Sequence, residues 1–203
     1  LPSSQPRPSL EQDQAAVKQT FLDYQRAIGE KRGDQAADLA AQKTIAYFEW
    51  SRKSALTMPE AELRKQSLLD RMQVLVLRAK VDPPMLRKMD GRGLFVHAVN
   101  EGMVGKEAQS LVPGSSEING DTAQLGLSAG GQTLPPKQGF RFERENGKWK
   151  LDVMSIAAVA EGPLRQMLKS IDPDENAAIV KITEQIAQKP LARTIWIAPD
   201  AAP

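Results

Sequence analysis

Phe140-Arg-Phe-Glu-Arg-Glu145-Asn-Gly-Lys-Trp-Lys150-Leu-Asp-Val153 decides how the rest of the chain is read. Two alternating runs flank Asn146-Gly147, the pair favoured in a type I′ turn because both central residues need φ > 0. With that pair as the loop, Glu145 faces Lys148, Glu143 faces Lys150 and Arg141 faces Asp152, three opposite-charge pairs on one face. The other face sets Arg144 against Trp149, Phe142 against Leu151 and Phe140 against Val153. A slip of one residue would exchange the two faces, so charge and apolarity agree on one register. The reading is a β-hairpin with a buried Phe140, Phe142, Leu151, Val153 face and a charged face turned to solvent or to an interface.

Outward from the hairpin, composition narrows the function classes. Lysine and arginine total 27 against 25 acidic residues, and no run of like charge stands out. Nucleic-acid binding normally shows a basic stripe, so no nucleic acid is expected as a partner. The absence of cysteine removes disulfides, thiolate catalysis and thiolate metal sites. No apolar stretch approaches the roughly 18–20 residues that span a bilayer, so no integral membrane segment is expected. Leu1–Ser9 holds Pro2, Pro6, Pro8 and three serines. It reads either as a flexible leader left after a targeting segment was removed, which suggests a periplasmic or secreted location, or as an arbitrary boundary that leaves the cytoplasm open.

Helical patterns come first. Val17, Phe21, Tyr24 and Ile28 form one stripe of a helix over Leu10–Ile28, with Ser9 as N-cap and Glu11 and Asp13 near the positive end of its dipole. Asp34 is placed to cap a short second helix, and Thr44 a third that carries Ile45, Tyr47, Phe48 and Trp50. Thr57-Met58-Pro59-Glu60 reads as a capping box opening a long helix through Ala79. Asp82-Pro83-Pro84 starts a short helix, and Gly93–Asn100 forms another. After Lys106 strands are expected at Gln109–Val112, Ser116–Ile118 and Thr122–Leu127, with a tight turn at Asn119-Gly120-Asp121. A loop with Gly130, Gly131, Pro135, Pro136 and Gly139 precedes the hairpin, and together these strands make a meander of about four. Beyond it Pro163 starts a short helix. Asp172-Pro173-Asp174-Glu175 supplies an N-cap, an N1 proline and an N3 glutamate for the last one. Ile195-Trp196-Ile197 is apolar enough to dock on the body.

The fold class is therefore α+β: N-terminal helices packed on a curved antiparallel sheet, extra helices inserted before the sheet, and a C-terminal helical extension. The domain boundaries are a leader over 1–9, a cone-like domain over 10–160 with a helical insertion at about 44–104, and an extension over 161–203 docked on it. Asn119-Gly120-Asp121-Thr122-Ala123 and the Phe140–Val153 hairpin resemble the turn, strand and terminal hairpin of nuclear transport factor 2-like domains, α+β cones of the cystatin-like kind. The tail from Glu175-Asn176 through Ile195-Trp196 and Pro199 resembles a C-terminal extension of uncharacterised bacterial members. The resemblance implies a cone with a ligand cavity and copies that pair through the exposed sheet face, hence a homodimer. It does not choose among isomerases, dehydratases, transport adaptors and binding proteins.

Candidate chemistry is sparse. His97 is the only histidine and carries no sequence-visible partner. One histidine without an acidic cluster lacks the ligands for a metal, and neither metal nor cofactor is expected. Asp23-Tyr24 is similar to the Tyr-plus-Asp oxyanion pair of steroid isomerases, whose second carboxylate rises from the sheet. Here Glu143 and Asp152 fall on the outward face. No Walker, dinucleotide or nucleophile-elbow pattern occurs. Aromatic residues are the remaining candidates: Tyr24, Phe48, Phe140, Phe142 and Trp149 as ligand-binding side chains, with Arg144 stacked on Trp149. The function expected is a non-catalytic binding module of the bacterial envelope that holds a small apolar ligand or a protein partner. The alternative is a small-molecule isomerase or dehydratase with His97 or Asp23 as base.

Overall fold

The computed structural model describes residues 8–135 and 139–200. Most of the expected leader, residues 1–7, and the loop segment 136–138 lie outside the described residues. Among the described residues the chain forms helices α1 (Leu10–Gly29), α2 (Gly33–Leu39), α3 (Gln42–Thr57), α4 (Glu60–Leu63), α5 (Leu68–Lys80), α6 (Pro83–Lys88) and α7 (Gly91–Asn100) before the sheet. Strands β1 (Val112–Asn119), β2 (Thr122–Ala129), β3 (Gln132–Thr133), β4 (Phe140–Glu145) and β5 (Lys148–Asp152) follow, and then α8 (Met154–Ile171) and α9 (Glu175–Ala187). The class is α+β, with a curved antiparallel sheet. None of these helices is long and apolar enough to cross a membrane.

The chain divides into two units, Leu1–Thr44 with Val96–Ile156, and Ile45–Phe95 with Ala157–Pro203. In the first, β1-β2-β4-β5 is the strand order and β3 pairs with β2. The hairpin register is the one read from the sequence from Glu145↔Lys148 to Arg141↔Asp152. Asn146 and Gly147 take φ of 51° and 76°, as the turn requires. Gly139 lets β4 join β2, because a Cβ there would lie 1.9 Å from the Leu125 carbonyl oxygen. The stripe on α1 is fully buried at Val17, Phe21 and Tyr24, and α1 packs on the sheet, whose Phe140, Phe142, Leu125 and Leu151 are buried as well. Burial of each such side chain contributes about 1.5–3 kcal/mol.

The second unit unites the segments read as insertion and extension. Helix α5 packs on α9, and Arg71 joins them, donating to Asn176 Oδ1 at 2.6 Å and to the Glu175 carboxylate. The tail docks as expected: Trp196 is buried, with the Arg64 guanidinium 4.2 Å from its ring centre. Asp200 N–H donates to Leu56 O at 2.9 Å.

Several local readings change. Thr57 ends α3, and its hydroxyl bonds back to Lys53 O, so no capping box forms. The expected long helix is broken after α4, and Ser67 caps α5. Arg32, not Asp34, occupies the N-cap of α2, and α3 begins at Gln42 ahead of Thr44. Gln109 and Ser110 belong to a 3-10 turn, and the Gly130-Gly131 turn joins β2 to the short β3. Pro163 sits inside α8 rather than at a helix start. Asp174, two residues later than expected, caps α9 by accepting from Ala177 N–H, while Asp172 accepts from Asp174 N–H.

Candidate functional site

The hairpin's last strand, β5, lies at an edge of the sheet, and α1 and α2 flank it. Between them lies an open groove of about 540 Å³ in the first unit. Ala16, Leu39, Trp149, Arg144, Lys148 and Lys150 are among the residues that line it. A volume of this size is in the range of small-ligand sites.

Asp13 organises the groove. The residue is 7 % exposed. Its Oδ1 accepts from the Trp149 indole Nε1–H at 3.0 Å, and its Oδ2 accepts from Arg144 at 2.6 Å. Arg144 lies 4.3 Å from the centre of the Trp149 ring and also reaches Asp121 Oδ1 at 3.1 Å. The hydrogen bond to Asp13 holds the Arg144 guanidinium above its ordinary pKa, against the opposing effect of burial. The stack expected across the hairpin is thus present, and a carboxylate from the first turns of α1 closes it. Sequence reasoning saw Asp13 only as a partner of the helix dipole. The pairing joins residues more than 130 positions apart, and no local pattern announces it.

The charged face of the hairpin is only partly open. Asp152 is buried, contrary to the outward placement read from the register, because Lys43 Nζ covers it at 2.9 Å and also bonds Glu143. Burial pulls the Lys43 pKa down, but the bonds to Glu143 and Asp152 outweigh it and leave it raised. Thr44 accepts from Val153 N–H at 3.1 Å, and so Val153 is tied to the first turn of α3.

Of the five aromatic candidates, Tyr24, Phe140 and Phe142 are buried in the core of the first unit, and Trp149 lines the groove. Phe48 belongs to the core of the second unit, edge-on to Phe95 with ring centres 5.0 Å apart. Tyr47 in that unit donates to Asp70 Oδ1 at 3.0 Å, and burial, then the Asp70 charge, pushes its pKa up. Asp23 lies half-exposed on α1, bonded to Gln19 and paired with Arg26. His97, on α7, forms no hydrogen bond with Asp23 or another carboxylate among the described residues. No group of three or more metal-ligating side chains occurs among the described residues. Compared with protein-family models, curated proteins and solved structures, the chain matches none.

Proposed function

We propose that this chain is a non-catalytic binding module whose ligand is a protein partner rather than a small apolar molecule. The observation behind this is the packing on the inner face of the sheet. Phe21, Tyr24, Phe140, Phe142 and Leu151 are buried there, with the rings of Phe21 and Phe140 5.5 Å apart. An apolar guest would have to displace such side chains, and losing the packing of one phenylalanine costs about 3–5 kcal/mol. The groove beside β5 is lined instead by apolar Ala16, Leu39 and Trp149 together with charged Arg144, Lys148 and Lys150, a mixture that suits a peptide surface. An acid–base enzyme would need two titratable groups converging on enclosed space, and Asp23 and His97 lack that arrangement.

Two measurements test this. A photoreactive group placed at Lys148 is expected to capture a protein from an extract of the producing cell. Native mass spectrometry of the protein from the same cell is expected to return the bare chain. A stoichiometric small molecule in that spectrum, with no captured protein, overturns the reading.

A further inference from the structure

The register of the hairpin settles which main-chain groups of β5 face away from β4. In a two-residue hairpin Glu145↔Lys148 is a hydrogen-bonded pair, and such pairs alternate with non-hydrogen-bonded ones. Lys148, Lys150 and Asp152 therefore bond to β4, while Trp149, Leu151 and Val153 present their main-chain groups to the free edge. The structure agrees at two of these three positions. Leu151 O accepts from Ala41 N–H at 2.8 Å, in a parallel bridge of Ala40 with Leu151, and Val153 N–H donates to Thr44 Oγ1. On the other side of β4, Arg144 N–H donates to Asp121 O, as the same alternation demands.

The chain between α2 and α3 thus pairs with the free edge of β5 only at Leu151, because the residues before Ala40, up to Leu39, are coiled in α2. At Trp149 the edge meets the groove. Lys150 Nζ is held on the Asp38 carbonyl oxygen, and the exposed Lys148 ammonium has no partner among the described residues. Edge lysines commonly protect a sheet against indiscriminate pairing, and Lys148 and Lys150 serve that role too. Cross-strand electrostatics makes the same pair selective, since a strand carrying acidic residues would be attracted where others are repelled.

From this geometry we infer that the groove takes an extended acidic peptide, which adds as a short strand to the edge of β5. Its main chain bonds the N–H and C=O of Trp149 and continues the line begun by Ala40–Ala41. Its side chains alternate, acidic ones toward Lys148 and Lys150 and small apolar ones over Ala16 and Leu39. This inference rests on the protein-binding reading above and makes the partner's contact segment acidic and extended.

The test uses the full chain, labelled with nitrogen-15, and two synthetic peptides, one alternating Glu and Val and one alternating Lys and Val. The acidic peptide is expected to shift the amide signals of residues 147–151 and 39–41, and the basic one to leave them in place. Lys148→Glu is expected to weaken the acidic peptide about fivefold. Lys148→Ala supplies a second variant at this exposed position, and N-methylation of the peptide backbone is expected to abolish the shifts. Shifts elsewhere, no shifts with either peptide, or equal binding of the basic peptide overturn the inference. If a protein is still captured at Lys148 while the edge amides stay still, only the strand-addition inference fails. A bound small molecule without a captured protein removes the functional reading itself.

Discussion

At the scale of single residues, Asp13 matters most to the groove because it satisfies an indole N–H and a guanidinium that are both largely withdrawn from water. Asp13→Asn keeps the shape and one acceptor but removes the charge facing Arg144. The expected loss is about 2 kcal/mol of stability, as for hydrogen bonds to charged groups. In a double-mutant cycle with Arg144→Met the losses should be far from additive, and additive losses in urea unfolding would refute the coupling. Glu49 gives a second residue-scale prediction. The Arg52 hydrogen bond holds its carboxyl down at about 2, against the opposing effect of burial and with Lys53 assisting. A carboxylate depressed in the folded state adds stability above its unfolded pKa, and that stability is lost as pH falls through the folded value. Glu49→Gln should therefore flatten the decline in stability between the ordinary value of 4.5 and pH 2, read from urea midpoints across that range. An unchanged slope would assign the acid sensitivity to other carboxylates. The two residue roles differ in how locally they are encoded. Glu49 and Arg52 sit three apart on one helix, whereas Asp13 and Trp149 meet only in the folded chain.

Secondary-structure elements are held at their ends by side chains whose roles differ from the simplest reading of sequence. Asp174→Ala should cost about 1 kcal/mol, the usual worth of an N-cap. Asp172→Ala should cost less, since Asp172 steadies only the approach to α9 and pairs with the exposed Lys181. Thermal unfolding of the two variants checks this, and the opposite order would return the cap to Asp172. The tail depends on Arg78. Its five N–H groups donate to Ser54 O, Ala55 O and Met58 O at the end of α3 and to Ile195 O and Trp196 O in the tail, at 2.7–3.2 Å. Burial lowers its pKa to about 10. Lysine offers three donors on one atom and cannot reproduce the fork, so Arg78→Lys should cost about 2 kcal/mol. It should also expose the tail to protease near Arg193, and a tail that stays resistant would mean Trp196 alone holds it. That Trp196 would dock was legible from its apolarity. The guanidinium that receives the tail was not, because arginine in a helical pattern looks the same whether it faces solvent or five carbonyls.

For the whole molecule, the outer face of the sheet bears on the homodimer expected from the resemblance. The cross-strand row Glu117↔Gln124↔Arg141 places an acid and a base on either side of a central glutamine, and Glu117 and Arg141 are exposed. A two-fold axis along β2 would set each Glu117 opposite the Arg141 of a second copy, a self-complementary contact. Light scattering at high concentration should then give a dimer, which Glu117→Arg dissociates. A mass near the monomer's 22.3 kDa at all concentrations would refute it. The sequence by itself determined the α+β class, the buried stripe of α1, the hairpin with its register and turn, and the docking of Trp196. These follow from periodicity, turn chemistry and apolarity, which act between neighbours in the chain. Only the tertiary structure decided that insertion and extension form one unit, that Asp152 is covered by Lys43, and that Asp13 closes the Arg144–Trp149 stack. It alone left the edge of β5 at Trp149 without a neighbouring strand among the described residues. Those outcomes depend on which distant residues share a surface once the core is packed, and no local pattern encodes that.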